Sequence, residues 1–239
     1  MKYWWDGKDN STRLRNVNFC WAQLKILREF LHKNDVTVDC KMYDFSPTKN
    51  IKDAIHIPYP LGIYNRSEKI NKILKLLSTD KYEYIVLLDA DLFLDPHDYM
   101  TFKSVLTSIN KESVAVFDLA KLNDIDTVNI VNGTITDFKS LDFSYAWSGS
   151  KAKGPLHNRL SGFGGMYIAP IDLLLQAGGY DEKFTGWGGE DGELLDRLVH
   201  GPRPVLKRGN IHPVRNMAPY HLSHLRDYEN KHYAKRNKR

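Results

Sequence analysis

The stretch that most constrains this chain is Tyr84-Ile85-Val86-Leu87-Leu88-Asp89-Ala90-Asp91, an apolar run that ends in two closely spaced carboxylates. A short apolar run bounded by polar residues is what a strand covered on both faces looks like. On a strand carried through to its end, residues two apart point the same way, so Asp89 and Asp91 are expected to share one face. Open α/β sheets bind ligands at the carboxyl ends of their strands. Paired hard oxygen donors at such an end suit a divalent cation that bridges to phosphate. Aspartate is also a common turn residue, and a solvated turn after the strand is the competing reading.

The 239 residues are enough for a core that needs no covalent staples. The two cysteines, Cys20 and Cys40, form neither a disulfide framework nor a zinc spacing, which fits a reducing compartment. No apolar run approaches a membrane span, and Met1 to Asp6 does not read as a signal peptide. The expectation is a cytoplasmic protein that is soluble as given, or else the catalytic portion of something longer. The formal charge is +5, with much of the excess between Lys231 and Arg239. That tail reads either as a solvated terminus or as a peripheral membrane contact. The aromatic residues are not interleaved with basic ones as in a nucleic-acid module, so no nucleic-acid partner is expected.

Taken in order, Lys2 to Trp5 reads as a first strand and Arg13 to His32 as a helix, with apolar residues at helical spacing. Val36 to Phe45 alternates as a strand that closes on Asp44. Ser67 to Leu77 reads as a helix, Tyr84 to Asp91 as a strand, His97 to Ile109 as a helix and Ser113 to Phe117 as a strand. This alternation predicts a three-layer α/β/α sandwich with a mainly parallel central sheet. Val128 to Val131 and Thr134 to Thr136 flank Asn132-Gly133, a hairpin signal. Trp147 to Gly154 is small, polar and basic, suited to a loop that closes over a cleft. Phe163 to Ala169 reads as a strand, and Ile171 to Ala177 as a short helix stopped by Gly178-Gly179. No internal repeat or interdomain linker is visible.

Two further stretches carry chemistry. In Gly186-Trp187-Gly188-Gly189-Glu190-Asp191-Gly192-Glu193, the glycines let backbone approach a ligand and the indole offers a flat face. Glu190, Asp191 and Glu193 fall in the first turn of a helix. Acidic residues there stabilise the helix dipole, but a carboxylate in that setting can also serve as a general base. In Tyr220-His221-Leu222-Ser223-His224, two histidines three apart would share a helix face and reach one metal ion.

These motifs, in this order, resemble a GT-A glycosyltransferase. The likeness runs from Tyr64 to Asn230 through Tyr64-Asn65-Arg66, Leu88-Asp89-Ala90-Asp91, Phe163-Gly164-Gly165, Gly178-Gly179-Tyr180 and Gly186-Trp187-Gly188-Gly189-Glu190-Asp191. It is greatest to the beta-1,4-galactosyltransferases, with a weaker likeness to the polypeptide N-acetylgalactosaminyltransferases and the chondroitin polymerases. The resemblance implies one GT-A domain over residues 1–239, with a nucleotide-binding part in 1–120 and an acceptor-binding, metal-completing part in 121–239. It implies inverting transfer of a hexose or N-acetylhexosamine, with galactose or N-acetylgalactosamine favoured. The donor would be a UDP-sugar and the acceptor a glycan, glycolipid or glycoprotein.

Carried over by position, Asp91, His221 and His224 would hold Mn2+, or else Mg2+ or Co2+. Asp89 would lie near the ribose or sugar, and Tyr64 and Arg66 near the uridine. Gly165 would line the donor site, and Trp187 would pack at the junction of donor sugar and acceptor. Asp191 would be the base, with Glu190 orienting the acceptor. The chain departs from the galactosyltransferases by placing His221 where they have Met, and imidazole suits Mn2+ or Co2+ at least as well. It also lacks the Ile-Pro-x-Arg-Asn signature of their first strand, continues from Asp191 with Gly192, and lacks the animal enzymes' anchor and disulfides. The alternatives are a metal-dependent nucleotidyltransferase, which would want a phosphate loop near its N-terminus, and a catalytically silent sugar-binding module. A glycoside hydrolase would have no use for the metal site.

Overall fold

The computed structural model describes residues 2–3, 11–47, 49, 51–59, 65–79, 82–138, 141, 144–146, 165–185 and 189–223. The central sheet contains β4 (Tyr84–Leu88), β6 (Val114–Phe117), β9 (Met166–Pro170) and β10 (Ile211–Val214), in the order β10-β6-β9-β4. Alternate residues along three of these strands face opposite ways into two apolar clusters. Ile85, Leu87, Val114, Val116, Tyr167 and Ala169 face one side. They pack there against α2 (Arg66–Ser78), α5 (Ile171–Gln176) and α6 (Glu190–His200). Ala115, Phe117, Met166 and Ile168 face the other side. There they meet α1 (Ser11–Lys33) and α3 (Tyr99–Ser108). This gives the three layers that an apolar, doubly covered sheet requires.

The sheet is not mainly parallel. β9 enters between β4 and β6 and runs antiparallel to both, while β10 is parallel to β6. The apolar pattern of β9 shows burial on both faces but does not encode direction, which is set by where the chain re-enters the sheet. A second sheet of β1 (Lys2–Tyr3), β2 (Tyr43–Asp44) and β3 (Ile55–His56) is parallel throughout. A third holds β5 (Leu92–Phe93), β7 (Leu119–Lys121), β8 (Ser144–Ala146) and β11 (Tyr220–His221), in the order β5-β11-β7-β8.

Other expectations shift with tertiary context. Only Tyr43–Asp44 of the segment from Val36 to Phe45 pairs as a strand. The hairpin expected around Asn132-Gly133 is instead the end of α4 (Asp124–Val131). Asn123 caps that helix by accepting from the Asp126 N–H at 2.8 Å, and Gly133 N–H closes its end on the Ile130 carbonyl at 3.0 Å. Asn-Gly supplies a helix stop as readily as a hairpin turn, and the N-terminal cap decides between them. Residues 147–154, expected as a closing loop, and the basic tail from Lys231 lie outside the described residues. Among the described residues no helix is long and apolar enough to cross a membrane.

Helix α2 positions the site. Asn65 caps it, accepting from Glu68 N–H at 3.0 Å and donating to the Glu182 carbonyl at 2.8 Å. One turn on, Asn71 receives the Tyr180 N–H and donates to the Tyr180 carbonyl, both at 2.8 Å. These bonds fasten the turn that follows α5 to the first half of α2.

Lys69, on the same helix, is 1 % exposed, with its ammonium 4.6 Å from the ring of Tyr59 and 5.9 Å from that of Phe45. Burial lowers its pKa from 10.5 to about 8; nearby Glu68 and Asp44 oppose the drop and Lys72 adds to it. The unfolded chain therefore holds this proton up to a higher pH than the folded one, so stability rises with pH between those values. The penalty, about 3 kcal/mol, is full below pH 8. Lys69→Met is accordingly expected to be the more stable protein at pH 7, with the gap closing towards pH 10.5. Urea midpoints across that range test this; a gap independent of pH would count against it.

Candidate functional site

Strand β4 ends at Leu88, and the chain then turns. The Asp89 carbonyl accepts from Leu92 N–H at 3.2 Å, and Asp89 N–H donates to the Gly165 carbonyl at 2.9 Å. Asp89 and Asp91 therefore do not share a strand face. Aspartate at the first position of such a turn is favoured, and the turn sends the two side chains to different partners.

Asp89 faces Arg66, whose Nη2 lies 3.2 Å from Asp89 Oδ1. The Nη1 of the same guanidinium bonds Asp191 Oδ1 and lies 3.3 Å from Glu190 Oε1. Arg66 is 4 % exposed and Glu190 3 %, whereas the Asp191 side chain is 20 % exposed. One buried cation thus joins the carboxylate after β4 to two carboxylates at the start of α6. Burial disfavours the charged guanidinium, but Asp191, Asp89 and Glu190 outweigh that and hold Arg66 well above its ordinary pKa. Tyr180 completes the group, with its hydroxyl 3.0 Å from Asp191 Oδ1 and its ring 5.9 Å from the guanidinium carbon.

Asp91 leads to the second half of the site. β5 pairs antiparallel with β11, placing Tyr220 opposite Phe93 and His221 opposite Leu92. Leu222 N–H donates to the Asp91 carbonyl at 3.0 Å, and His221 Nε2 lies 3.7 Å from Asp91 Oδ2. Both side chains remain partly exposed, His221 at 18 % and Asp91 at 22 %. His221 is thus on a strand rather than the expected helix, because Tyr220–His221 is paired on both sides, by β5 and β7. Two donors 3.7 Å apart subtend roughly 115–135° at an ion with bonds of about 2.0–2.2 Å, so a small inward shift of either side chain would let the pair share a metal. Among the described residues no group of three or more His, Cys, Asp or Glu side chains is arranged to hold one.

Tyr64, Trp187 and His224 lie outside the described residues. Gly165 is held by its backbone: its φ of +76° suits glycine, and a Cβ would stand 2.7 Å from Leu119 Cδ1. Its carbonyl fixes Asp89, so it shapes the acidic turn from behind. The residue reading from sequence gave no role to Tyr180 or Tyr167, although Gly178-Gly179-Tyr180 belonged to the resemblance. The tyrosine's part becomes visible only when α2 and α6 are brought together.

A family model described as the N-terminal domain of galactosyltransferase matches residues 150–207, the stretch that carries β9, α5 and α6. No curated protein matches the chain. The crystal structure of the catalytic domain of Drosophila beta-1,4-galactosyltransferase 7 in complex with xylobiose is similar over 99% of this chain and 78% of that one, with a TM-score of 0.54 and 12% identity. A mutant of that Drosophila enzyme, in complex with manganese, UDP-Gal and xylobiose, matches 98% of this chain and 77% of its own, with a TM-score of 0.52 and 13% identity. The chain has a GT-A fold resembling that of the beta-1,4-galactosyltransferases. As in other mixed sheets, its GT-A core carries a central antiparallel strand, here β9.

Removing the buried cation tests the site's internal balance. Arg66→Met leaves Glu190 buried without its guanidinium partner and is expected to cost about 3–5 kcal/mol. Arg66→Lys should recover little of this, because an ammonium lacks the fork that serves three carboxylates. Urea denaturation of both variants measures the effect; a midpoint close to that of the unaltered chain would show that the cluster adds little.

Proposed function

We propose that this chain is an inverting, metal-dependent glycosyltransferase that moves a hexose or N-acetylhexosamine, galactose or N-acetylgalactosamine being favoured, from a UDP-sugar to a glycan acceptor. The observation that carries the reading is the convergence of two distant acidic motifs, Asp89 after β4 and Glu190-Asp191 at the start of α6, on the one buried guanidinium of Arg66 at the carboxyl end of β4. The GT-A fold adds support. The strand ends of such a fold are where a ligand is expected.

In this reading Asp91 and His221 hold a divalent cation, Mn2+ or else Mg2+ or Co2+, with His224 as a third donor. When bound, the ion would neutralise the diphosphate of the donor. Asp89 stands at the donor side, fixed by Arg66 and by the Gly165 carbonyl. Asp191 takes the proton of the acceptor hydroxyl as that oxygen attacks the anomeric carbon. The bond from the anomeric carbon to UDP breaks on the opposite face, which inverts the configuration, and UDP leaves with the electron pair. Glu190, too buried to meet an acceptor directly, acts through Arg66. Tyr64 would flank the nucleotide, and Trp187 would pack at the junction of donor sugar and acceptor. Arg66 itself acts on the carboxylates rather than on the uracil ring.

Titration calorimetry with UDP, with and without Mn2+, separates the two halves of the site. Asp91→Ala is expected to abolish Mn2+-dependent UDP binding, and His221→Ala to weaken it. Asp191→Asn should keep UDP binding and lose transfer in a screen of UDP-sugars against glycan acceptors. Transfer retained by both Asp91→Ala and Asp191→Asn would sink the proposal. No UDP binding, with or without the metal, would favour a sugar-binding or hydrolytic protein.

A further inference from the structure

We propose that Tyr180 is a positioning residue that, together with Arg66, holds Oδ1 of Asp191 and leaves Oδ2 to face the acceptor hydroxyl. The inference rests on the reading of Asp191 as the base. Tyr180 is 2 % exposed and fixed at three levels. Asn71 clamps its backbone through both N–H and carbonyl, its ring lies against the Arg66 guanidinium, and its hydroxyl reaches Asp191 Oδ1 at 3.0 Å. The Tyr167 hydroxyl stands 3.3 Å behind it, and Tyr167 is fully buried in the central strand β9.

A phenol has one proton to give. An ionised carboxylate is a stronger acceptor than a neighbouring phenol oxygen, so Tyr180 donates to Asp191. Burial pushes the Tyr180 phenol well above its ordinary range, with Tyr167 and Asp191 adding to the shift, so it remains a donor wherever Asp191 is ionised. Oδ1 then receives two donors, the Arg66 guanidinium and the Tyr180 hydroxyl. Oδ2 has no hydrogen-bond partner among the described residues. The two oxygens of one carboxylate are thereby made unequal. Oδ1 anchors the group, and Oδ2 is left to take a proton along a fixed direction. A base held this way loses less freedom on reaching its reacting geometry, and small misplacements of such groups are costly.

The test is Tyr180→Phe in the full chain, which removes the hydroxyl and keeps the ring. The first readout needs no substrate: the carboxyl 13C resonance of Asp191, identified by its absence in Asp191→Asn, should move in Tyr180→Phe. With the UDP-sugar and acceptor that the screen finds active, kcat should fall about tenfold, the effect expected for one hydrogen bond to a charged group. Mn2+-dependent affinity for UDP should stay unchanged. Tyr167→Phe, which spares the bond to Asp191, should lower kcat only about twofold and serves if Tyr180→Phe folds poorly. An unmoved resonance overturns the proposal, as does a loss of transfer accompanied by an equal loss of UDP affinity. Transfer retained by Asp191→Asn would remove the base assignment while a moved resonance still upheld the Tyr180 contact, so the two failures are distinguishable.

Discussion

The buried guanidinium of Arg66 is the interaction on which the site's geometry depends. Three carboxylates that approach one another would repel, and in a low-dielectric setting that repulsion is not screened by salt. Arg66 offsets it with a planar fork, Nη1 serving α6 and Nη2 serving the turn after β4. A compact ammonium could not reach in two directions at once. The guanidinium reaches this position because Asn65 starts α2 one residue earlier, which places Arg66 in the first turn of that helix. The cap therefore does more than satisfy a helix end: it aims a cation at the strand terminus.

A second constraint comes from topology. β11 is only two residues long, yet it pairs on one side with β5, directly after the acidic turn, and on the other with β7. That pairing carries His221 from near the end of the described chain to Asp91. It also lets the Leu222 N–H satisfy the Asp91 carbonyl. A backbone group near a charged site would otherwise need solvent, so the same contact that brings in the imidazole also closes a buried polar gap.

Much of this was legible in the sequence because it is written in local patterns. Helices α1, α2 and α6 carry apolar residues at helical spacing, and β4 and β6 are short apolar runs, so their existence and type follow from periodicity. The two acidic motifs stood out in the sequence because glycine, tryptophan and closely spaced carboxylates exceed what a turn or helix end requires. What was not legible depends on contacts between distant segments. The antiparallel insertion of β9 leaves no local trace, since a strand buried on both faces reads the same in either direction. Val128, Ile130 and Val131 favour a strand by composition, and the cap at Asn123 overrode that preference. His221 was read on a helix because two histidines three apart suit one, while pairing on both sides holds it extended. The three carboxylate partners of Arg66 were not legible, because nothing near it in sequence announces them.

The turn at Asp89-Ala90-Asp91 shows why these failures and successes belong together. Two carboxylates two residues apart, kept on one strand face, would both need a counter-charge from the same source. The turn separates them. Asp89 is neutralised from within by Arg66, at the cost of burying a charge, and its geometry is fixed before any ligand arrives. Asp91 remains partly exposed beside the imidazole of His221. Half of the acidic site is thus settled by folding, and in the proposed function the other half is completed by an ion. Placing Arg66 behind the first aspartate fixes that carboxylate by folding, and the proposed function gives the second to the metal.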